Sequence, residues 1–235
     1  MSDHMKRLAA PKAWPLKRKV AVWVTKQSAG AHSVESSLPA VTVLRDLIGV
    51  CDTAREAKRI IGNRELVVDG KAVKNPKAPI GIMDVISIPK MGLNFRMLLS
   101  NKGKLAVVPI SEDEAKIKLC RIEDKTLISG GKFQLNLSGG RNIVLDKNNY
   151  KVGDSLKIET ATQKVIGHYP VIKGAKVFII NGPLSGKVEI IEDYVVVKGP
   201  SDNIVKFSDG IETVRRNIFV IGAEKSEITL PEASE

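Results

Sequence analysis

The sequence is poor in the residues that build metal centres, with two cysteines and three histidines among 235 residues. Cys51 and Cys120 have no partner at the spacing of a zinc site, and the histidines are scattered along the chain. Two isolated cysteines also give no sign of a disulfide framework. We therefore expect two buried or half-buried thiols and no bound metal or cofactor.

Long apolar segments are also absent, since no run approaches the 18 or more residues that cross a bilayer. The amino terminus, MSDHMKRLAAPKAW, has no apolar core of the kind that directs secretion. These two absences predict a cytoplasmic protein without a membrane partner.

One segment resembles a phosphate-binding loop but lacks two of its requirements. The segment NGPLSGKV, residues 181–188, places three residues between Gly182 and Gly186, where a phosphate loop has four. Val188 also stands where the loop needs a hydroxyl to hold magnesium. We interpret the segment as a glycine turn between two strands, formed where a positive φ angle or a close backbone approach is required, with Lys187 extending from the second strand.

Positive charge is what the chain has in excess. There are 37 Lys and Arg against 26 Asp and Glu, giving a net charge of +11 and an isoelectric point near 9.6. Residues 1–90 carry 16 basic and 8 acidic side chains, whereas residues 171–235 carry 8 and 10. The excess is localised and indicates an anionic partner, with nucleic acid as the leading candidate.

Residues 1–36 combine basic residues with proline and with both tryptophans. Large aromatic residues are unusual in a solvated tail, whereas a segment that becomes ordered against RNA uses them for stacking or anchoring. We interpret the segment as a basic arm that binds RNA, with a solvated tail as the alternative. Its candidate contacts are Lys6, Arg7, Lys12, Trp14, Lys17, Arg18 and Lys19.

Residues 37–90 begin with two predicted short helices. Apolar residues at helical spacing give the first helix over residues 41–48, and Gly49 ends it. Thr53 and Glu56 have the spacing of a capping box, in which each side chain satisfies a backbone N–H at the start of the second helix.

The second predicted helix carries a cluster of cations. Its buried stripe consists of Ala54, Ala57, Ile60 and Ile61. This leaves Arg55, Lys58 and Arg59 together on the exposed flank at spacings of three and four residues. Like charges at this spacing destabilise an isolated helix by a few tenths of a kcal/mol per pair, so a bound polyanion explains them. A solvated helix face is the alternative.

A hairpin sheet completes this predicted module. Asp69 and Gly70 form a dipeptide that tolerates the positive φ angles of a tight turn, and a further strand follows at residues 84–88. The module ends near Lys90, and it is too small and too poor in clustered polar groups for a catalytic centre. We interpret it as a binding module.

Residues 91–170 are predicted to form a central antiparallel β domain, because seven short apolar runs alternate with glycine-containing turns. Ser111 and Glu114 repeat the capping spacing and indicate one helical turn between strands. The glycine pair before Arg141 is interpreted as a hairpin turn, with an anion-binding nest as the alternative.

Residues 171–221 are predicted to form a small closed barrel whose curvature depends on glycine. Its five expected strands are AKVFIING, GKVEIIED, YVVVKG, NIVKFS and RRNIFVIG. Residues 222–235 form an acidic tail that we expect to be poorly ordered. The fold class that follows for the whole chain is α+β, and mostly β.

Two other functions fit parts of this pattern. An RNA-modifying or aminoacylating enzyme also carries small helical RNA-binding modules, but residues 91–170 offer no paired carboxylates or histidine cluster at a recognisable spacing. A transcription or translation factor that binds RNA reversibly is the second alternative, and the nearly neutral carboxyl-terminal portion allows it to bind a protein partner. We expect the protein not to be an enzyme.

The order of residues in HMKRLAAPKAWPLKR, residues 4–18, resembles the signature of the S4e family of archaeal and eukaryotic small-subunit ribosomal proteins. Residues 37–90 are similar to the S4-type RNA-binding domain of that family, and NFRMLLSNKGKLAVVPISEDEAKIKLCRI resembles its central β domain. The segment KGAKVFIINGPLSGKVEII resembles a KOW motif in an SH3-like barrel, and RRNIFVIG resembles the closing strand.

This resemblance implies a structural role in the small ribosomal subunit of an archaeal cytoplasm, with ribosomal RNA and neighbouring ribosomal proteins as partners. It implies no catalysis and no small-molecule substrate. Gly182 and Gly186 would be the structural glycines of the KOW loop. We expect folded RNA to be recognised by its shape and its phosphates rather than by its bases. Beyond the arm, the candidate RNA contacts are Arg45, Arg55, Lys58, Arg59, Arg64, Lys71 and Lys187.

Overall fold

The computed structural model describes residues 4–146, 149–223 and 225–231, and they form two compact units. The first unit contains the residues up to 98 together with 104–116, and the second contains 99–103 and the residues from 117 onward. Within the described ranges, no helix combines the length and the apolar character that a membrane crossing requires.

The first helical segment begins as α1, Ala40–Thr42, and continues without interruption as a π-helix, Val43–Ile48. It ends at Gly49, which adopts a left-handed conformation with φ of 73° and donates its N–H to the Leu44 carbonyl. The predicted helix and its glycine stop are confirmed. Its wider π-helical turn was not predicted, because apolar spacing over two turns does not distinguish the two kinds of helix.

The second helix, α2, spans Ala54–Gly62 and begins with the predicted capping box. The Glu56 N–H donates to the Thr53 hydroxyl, and the Thr53 N–H donates to the Glu56 carboxylate, each at 3.3 Å. These bonds lower the pKa of the Glu56 carboxyl, with the Thr53 contacts as the main cause. Ala57 and Ile61 are fully buried, which fixes the helix face that remains in solvent.

The strands of the first unit form one five-stranded sheet and two small strand pairs. The pairs join β1 to β2 and β3 to β6, and the sheet has the order β5-β4-β7-β8-β9. The strands are β1 (Met5–Lys6), β2 (Trp23–Val24), β3 (Ser37–Pro39), β4 (Val67–Val68), β5 (Lys71–Ala72), β6 (Pro79–Gly81), β7 (Val85–Ile88), β8 (Leu93–Leu99) and β9 (Leu105–Pro109). The predicted hairpin turn at Asp69 and Gly70 is confirmed, with φ angles of 51° and 77°.

The domain boundary predicted at residue 90 falls inside this sheet. Strands β7 and β8 are antiparallel neighbours, with Val85 opposite Arg96, and the short 3-10 turn Pro89–Met91 joins them. The change in composition at residue 90 therefore marks a turn rather than a linker. Strands β8 and β9 follow this turn and complete the sheet of the first unit.

A buried ion pair holds the single-turn helix α3, Glu112–Ala115, against this sheet. Arg96 lies on β8 and is 1% exposed, and its guanidinium donates to the Glu114 carboxylate at 2.7 Å and to the Glu114 carbonyl at 3.1 Å. Burial lowers the pKa of Arg96, and the Glu114 carboxylate partly offsets this effect. The Ser111 hydroxyl caps the helix by accepting from the Glu114 N–H, as predicted.

The second unit contains two five-stranded antiparallel sheets, of which the first has the order β12-β11-β10-β13-β14. Its strands are β10 (Ile117–Leu127), β11 (Phe133–Leu137), β12 (Arg141–Leu145), β13 (Ser155–Glu159) and β14 (Val165–Tyr169). One core cluster contains Cys120, Ile122, Leu135, Leu137, Leu156 and Ile158. The glycine pair before Arg141 forms the β11–β12 hairpin turn, as expected.

The second sheet has the order β18-β17-β16-β15-β19. Its strands are β15 (Lys176–Ile179), β16 (Val188–Val195), β17 (Ile204–Phe207), β18 (Glu212–Val214) and β19 (Ile218–Gly222). The edge strands β18 and β19 are joined by a three-residue 3-10 turn, Arg215–Asn217, which spans only about 6 Å. The two edges therefore lie near each other, and the sheet must curl strongly.

Two details of the predicted strands in this sheet are wrong. YVVVKG is not a separate strand, because β16 runs without a turn through Tyr194 to Val195. The fifth strand is instead β18, Glu212–Val214, which was not predicted. The segment ETV alternates little and is three residues long, so it carries almost no periodic signal.

The turn between β15 and β16 has the geometry expected of its glycines. Gly182 and Gly186 have φ angles of 94° and 93°. A Cβ atom at Gly186 would lie 2.0 Å from the Ser100 carbonyl oxygen, whereas at Gly182 the nearest group is the Asn217 amide nitrogen at 3.5 Å. Both positions have a positive φ angle that favours glycine, and Gly186 also allows the Ser100 backbone to approach closely.

Residues 225–231 of the carboxyl-terminal tail make specific contacts with strands of the second unit. The Glu227 N–H donates to the Ile221 carbonyl at 2.9 Å, and Ile228 is 5% exposed. Lys157 donates to the Glu227 carboxylate at 2.7 Å. One apolar residue and one ion pair therefore hold a segment whose composition is polar; residues 232–235 and residue 224 lie outside the described residues.

Both thiols are buried, as the sequence predicts. Cys51 is 7% exposed and Cys120 is fully buried, and neither forms a disulfide. Burial raises the pKa of the Cys51 thiol, and the nearby Glu56 carboxylate adds to the effect.

Alanine substitution of the two turn glycines is expected to separate backbone strain from steric contact. Gly182→Ala should cost about 1 kcal/mol of unfolding free energy, because the strain of a positive φ angle is the only penalty. Gly186→Ala should cost about 3 kcal/mol or more, because the Ser100 backbone must also move. Urea denaturation measures both values, and equal losses would contradict the close approach.

The tail makes a pH-dependent contribution to stability. The Tyr169 hydroxyl is partly buried and bonds to the Glu227 carboxylate, and together these raise its pKa to about 12. An unfolded tyrosine titrates near pH ~10, so the stabilisation is complete below about pH 10 and is lost as the pH rises toward 12.

Glu227→Gln is therefore expected to move the Tyr169 titration down toward its ordinary value. The ring resonances of Tyr169, followed by NMR as the pH rises, measure the shift. Glu192→Gln, an exposed residue of the same unit, is the control and should leave the curve in place. An unchanged Tyr169 titration in Glu227→Gln would show that the tail does not dock.

Candidate RNA-binding surface

The amino-terminal arm is folded against the first unit. Strand β1 pairs with β2, and the Arg7 N–H donates to the Val22 carbonyl at 2.8 Å. The Leu105 N–H donates to the Ala13 carbonyl at 2.8 Å, which links the arm to β9. The arm therefore has a fixed path instead of the conformation of a solvated tail.

The two tryptophans of the arm occupy different environments. Trp14 is 2% exposed, and its indole N–H donates to the Val34 carbonyl at 3.1 Å. Its ring has no free face in this conformation, so Trp14 anchors the arm and does not offer a stacking surface. Trp23 is 53% exposed and contacts the His4 ring edge-on, with ring centroids 5.1 Å apart.

Two arginines of the arm bond to the arm itself. The Arg18 guanidinium donates to the carbonyls of Leu8 at 3.1 Å, Ala10 at 2.7 Å and Pro11 at 2.9 Å. The Arg7 Nε donates to the Lys17 carbonyl at 2.6 Å. The remaining predicted contacts of the arm have exposed side chains; they are Lys6, Lys12, Lys17 and Lys19.

The cations predicted on and around α2 are exposed. Arg55, Lys58 and Arg59 lie on its solvent side. Arg64 follows the helix with a φ angle of 60°, and Lys71 lies on the edge strand β5; both are exposed. These five residues keep their charge at the surface of the first unit.

Two of the predicted contacts differ from this group. Arg45 forms a bidentate pair with Asp46 at 2.9 and 2.7 Å, and this pair raises the pKa of Arg45. The neighbouring carboxylate neutralises much of its charge, which makes Arg45 a weaker candidate. Lys187 is exposed and belongs to the second unit, where it follows Gly186 in the β15–β16 turn.

A groove of about 510 Å³ brings together parts of the first unit that are distant in sequence. It is lined by His4, Val24, Thr25, Lys26, Val41, Lys58, Asn75, Pro76 and Lys77. We call it the basic groove, because three lysines line it. Lys26 and Lys77 were not predicted as contacts. Each is an isolated cation in the sequence, and the two-residue pairing of β1 with β2 gives no periodic signal that would place them near α2.

Arg18→Lys is expected to loosen the arm, because lysine keeps the charge but cannot donate to three carbonyls in a fixed geometry. Loss of these bonds should favour opening of the arm by about 2 kcal/mol. Cleavage between residues 5 and 24 by a protease specific for apolar residues should rise by about 30-fold, since cleavage follows the population of the open form.

Lys19→Arg is the matched control for this experiment, because it makes the reverse exchange at an exposed neighbour. It should leave the cleavage rate unchanged. Equal cleavage of Arg18→Lys and the native chain would show that the three carbonyl contacts do not hold the arm.

Comparison with known proteins gives matches along almost the whole chain. A model described as RS4NT (NUC023) domain matches residues 1–35, and a model described as Ribosomal family S4e matches residues 91–165. The small ribosomal subunit protein eS4 of Methanosphaera stadtmanae is 42% identical over 230 residues, covering 97% of this chain and 95% of that protein. The eS4 protein of Methanothermobacter thermautotrophicus is 38% identical over 232 residues, covering 97% and 96%.

A solved structure agrees with these sequence matches. The crystal structure of the 30S ribosomal protein S4e from Thermoplasma acidophilum superposes with a TM-score of 0.72 at 30% identity, covering 80% of this chain and 96% of that chain. The mostly β fold and the sequence similarity therefore lead to the same family. The chain belongs to the ribosomal protein family S4e.

Proposed function

We propose that this protein is a structural constituent of the small ribosomal subunit and that it binds ribosomal RNA chiefly through its first unit. The relatives in Methanosphaera and Methanothermobacter are named small ribosomal subunit proteins, and they match this chain over nearly its full length. This similarity carries the assignment to the ribosome. The names describe neither an enzyme nor a reversible transcription or translation factor, so neither alternative is favoured.

The placement of charge supports the first unit as the RNA-binding part. Residues 1–90 contain twice as many basic as acidic residues, and the exposed cations of the arm and of α2 lie in this unit. Arg55, Lys58 and Arg59 on α2 are held by a helix whose start and buried face are fixed by Thr53 and Ile61. A rigid array of this kind fits the regular spacing of phosphates on folded RNA.

Affinity in this mechanism comes chiefly from the release of counterions. Each phosphate that a lysine or arginine neutralises frees condensed cations, so binding weakens as the salt concentration rises. The exposed lysines of the arm, Lys6, Lys12, Lys17 and Lys19, and the cations of α2 are the proposed phosphate contacts, together with Arg64, Lys71 and Lys187. Arg7, Arg18 and Trp14 support the arm that carries them.

Other ribosomal proteins are the second class of partner that we propose. The last sheet of the second unit has a nearly neutral charge balance, and Ile190 and Val196 are exposed apolar residues in it and beside it. A surface of this kind is better suited to a protein neighbour than to RNA.

Replacement of Arg55 and Arg59 by glutamine is the direct test of the α2 surface. The double variant should lower the slope of log affinity against log salt by about two for a fragment of small-subunit ribosomal RNA, because two phosphate contacts are lost. Lys198→Gln, an exposed cation of the second unit, is the control and should leave the slope unchanged. A double variant with the native slope and normal incorporation into subunits would reject α2 as a contact.

A further inference from the structure

The basic groove and the exposed ring of Trp23 lie next to each other on the first unit. His4 lines the groove, and its ring also contacts the indole of Trp23 at a centroid distance of 5.1 Å and an interplanar angle of 89°. Trp23 therefore lies at the rim of the groove. The His4 ring therefore connects the flat apolar surface of the indole to the lysines of the groove.

Trp23 is exposed although the arm that carries it is folded. Trp14 in the same arm is 2% exposed, whereas Trp23 is 53% exposed although it lies in a strand pair. Its neighbour in the strand, Val24, is 8% exposed, so the core side of β2 is already occupied. A large ring held at the surface beside cations is typical of a stacking platform for nucleic acid bases.

The wall of the groove opposite the arm is fixed before any ligand binds. The Ser28 N–H donates to the Lys77 carbonyl at 2.8 Å, and the Val41 N–H donates to the Pro76 carbonyl at 3.2 Å. The Asn75 side chain donates to the Ser28 hydroxyl at 3.1 Å and accepts from the Lys77 N–H at 2.9 Å. These bonds tie residues 75–77 both to the arm and to α1, so the backbone of Lys77 is preorganised.

We propose that the basic groove and Trp23 form a subsite for an unpaired ribonucleotide of the bound RNA, in which the base stacks on the indole and the adjoining phosphates lie along Lys26, Lys58 and Lys77. This proposal rests on the function proposed above and adds a site for single-stranded RNA to it. The bases of a duplex are stacked on one another and have no free faces, so an exposed indole selects a nucleotide that has left the stack. An acidic protein segment would offer carboxylates to the lysines but no flat base to stack on the indole.

The test uses the full chain and three probes of similar charge. The first is an oligouridylate of about eight nucleotides, which is within the usual site size of a single-strand binding surface. The second is the same oligomer without its bases, and the third is an oligoglutamate of equal length. The native protein should bind the oligouridylate about tenfold more tightly than the abasic oligomer, because a stacked base contributes on that scale.

Two substitutions of Trp23 isolate the stacking step. Trp23→Phe keeps a flat ring and should keep most of the tenfold preference for the probe with bases. Trp23→Leu keeps an apolar side chain without a flat face and should bind both nucleotide probes equally. Lys77→Gln should weaken both probes alike and should lower the salt slope by about one. Unchanged far-ultraviolet circular dichroism establishes that each variant is folded.

Three results would overturn the proposal. Equal binding of the two nucleotide probes by the native protein would exclude stacking. A preference for the probe with bases that persists in Trp23→Leu would show that the bases stack on another residue. Oligoglutamate that binds as tightly as the oligouridylate would identify the groove as a surface for acidic protein. The double variant of Arg55 and Arg59 separates this proposal from the proposed function. If one of these three results appears and the double variant still loses affinity for ribosomal RNA, only the subsite is rejected. If the double variant also binds ribosomal RNA normally, the proposed function is rejected as well.

Discussion

The attachment of the arm to the first unit is the interaction on which the RNA-binding surface depends. The buried ring of Trp14 and the three carbonyl contacts of Arg18 hold the arm in one conformation. This conformation places His4 and Lys26 beside Lys58 on α2, although the residues are far apart in sequence. Without it the basic groove would lose one wall, and the cations of the arm would be spread over many positions.

The chain uses its two kinds of basic residue differently in this region. Arginine donates several hydrogen bonds in a fixed geometry, and Arg7 and Arg18 donate theirs to carbonyls of the arm. Lysine carries a mobile point charge, and four lysines of the arm remain exposed: Lys6, Lys12, Lys17 and Lys19. A basic segment therefore does not have to be disordered before it meets RNA, because part of its charge can serve to fold it. The cost of ordering such a segment is then met during folding and does not reduce the affinity for RNA.

Local features of this fold could be predicted from the sequence, and contacts between distant segments could not. The capping box at Thr53, the hairpin turn at Asp69 and Gly70, and the turn at Gly182 and Gly186 each follow from the chemistry of a few neighbouring residues, and all are present. The boundary predicted at residue 90 falls at the turn between β7 and β8, because a hairpin turn and a linker have similar compositions.

The candidate site shows the same difference between local features, which the sequence predicts, and contacts between distant segments, which it does not. The exposed face of α2 follows from helical spacing alone, so Arg55, Lys58 and Arg59 were found. The environments of the two tryptophans depend on tertiary packing, since Trp14 donates to the Val34 carbonyl and Trp23 contacts the His4 ring. No local sequence pattern shows which of the two rings is buried. Lys77 joins the groove through its backbone bond to Ser28, and Lys26 joins it through the folded path of the arm; the sequence reveals neither.

Amide hydrogen exchange of the free protein tests the attachment of the arm most directly. The Arg7 amide, in the arm, donates to the Val22 carbonyl, and the Leu105 amide, on β9, donates to the Ala13 carbonyl of the arm. If the arm is folded before RNA binds, both amides should exchange at least about a hundredfold more slowly than in an unstructured chain. Exchange of both at the unstructured rate, in a protein whose α2 amides remain protected, would show that the arm is a flexible tail and would contradict this account.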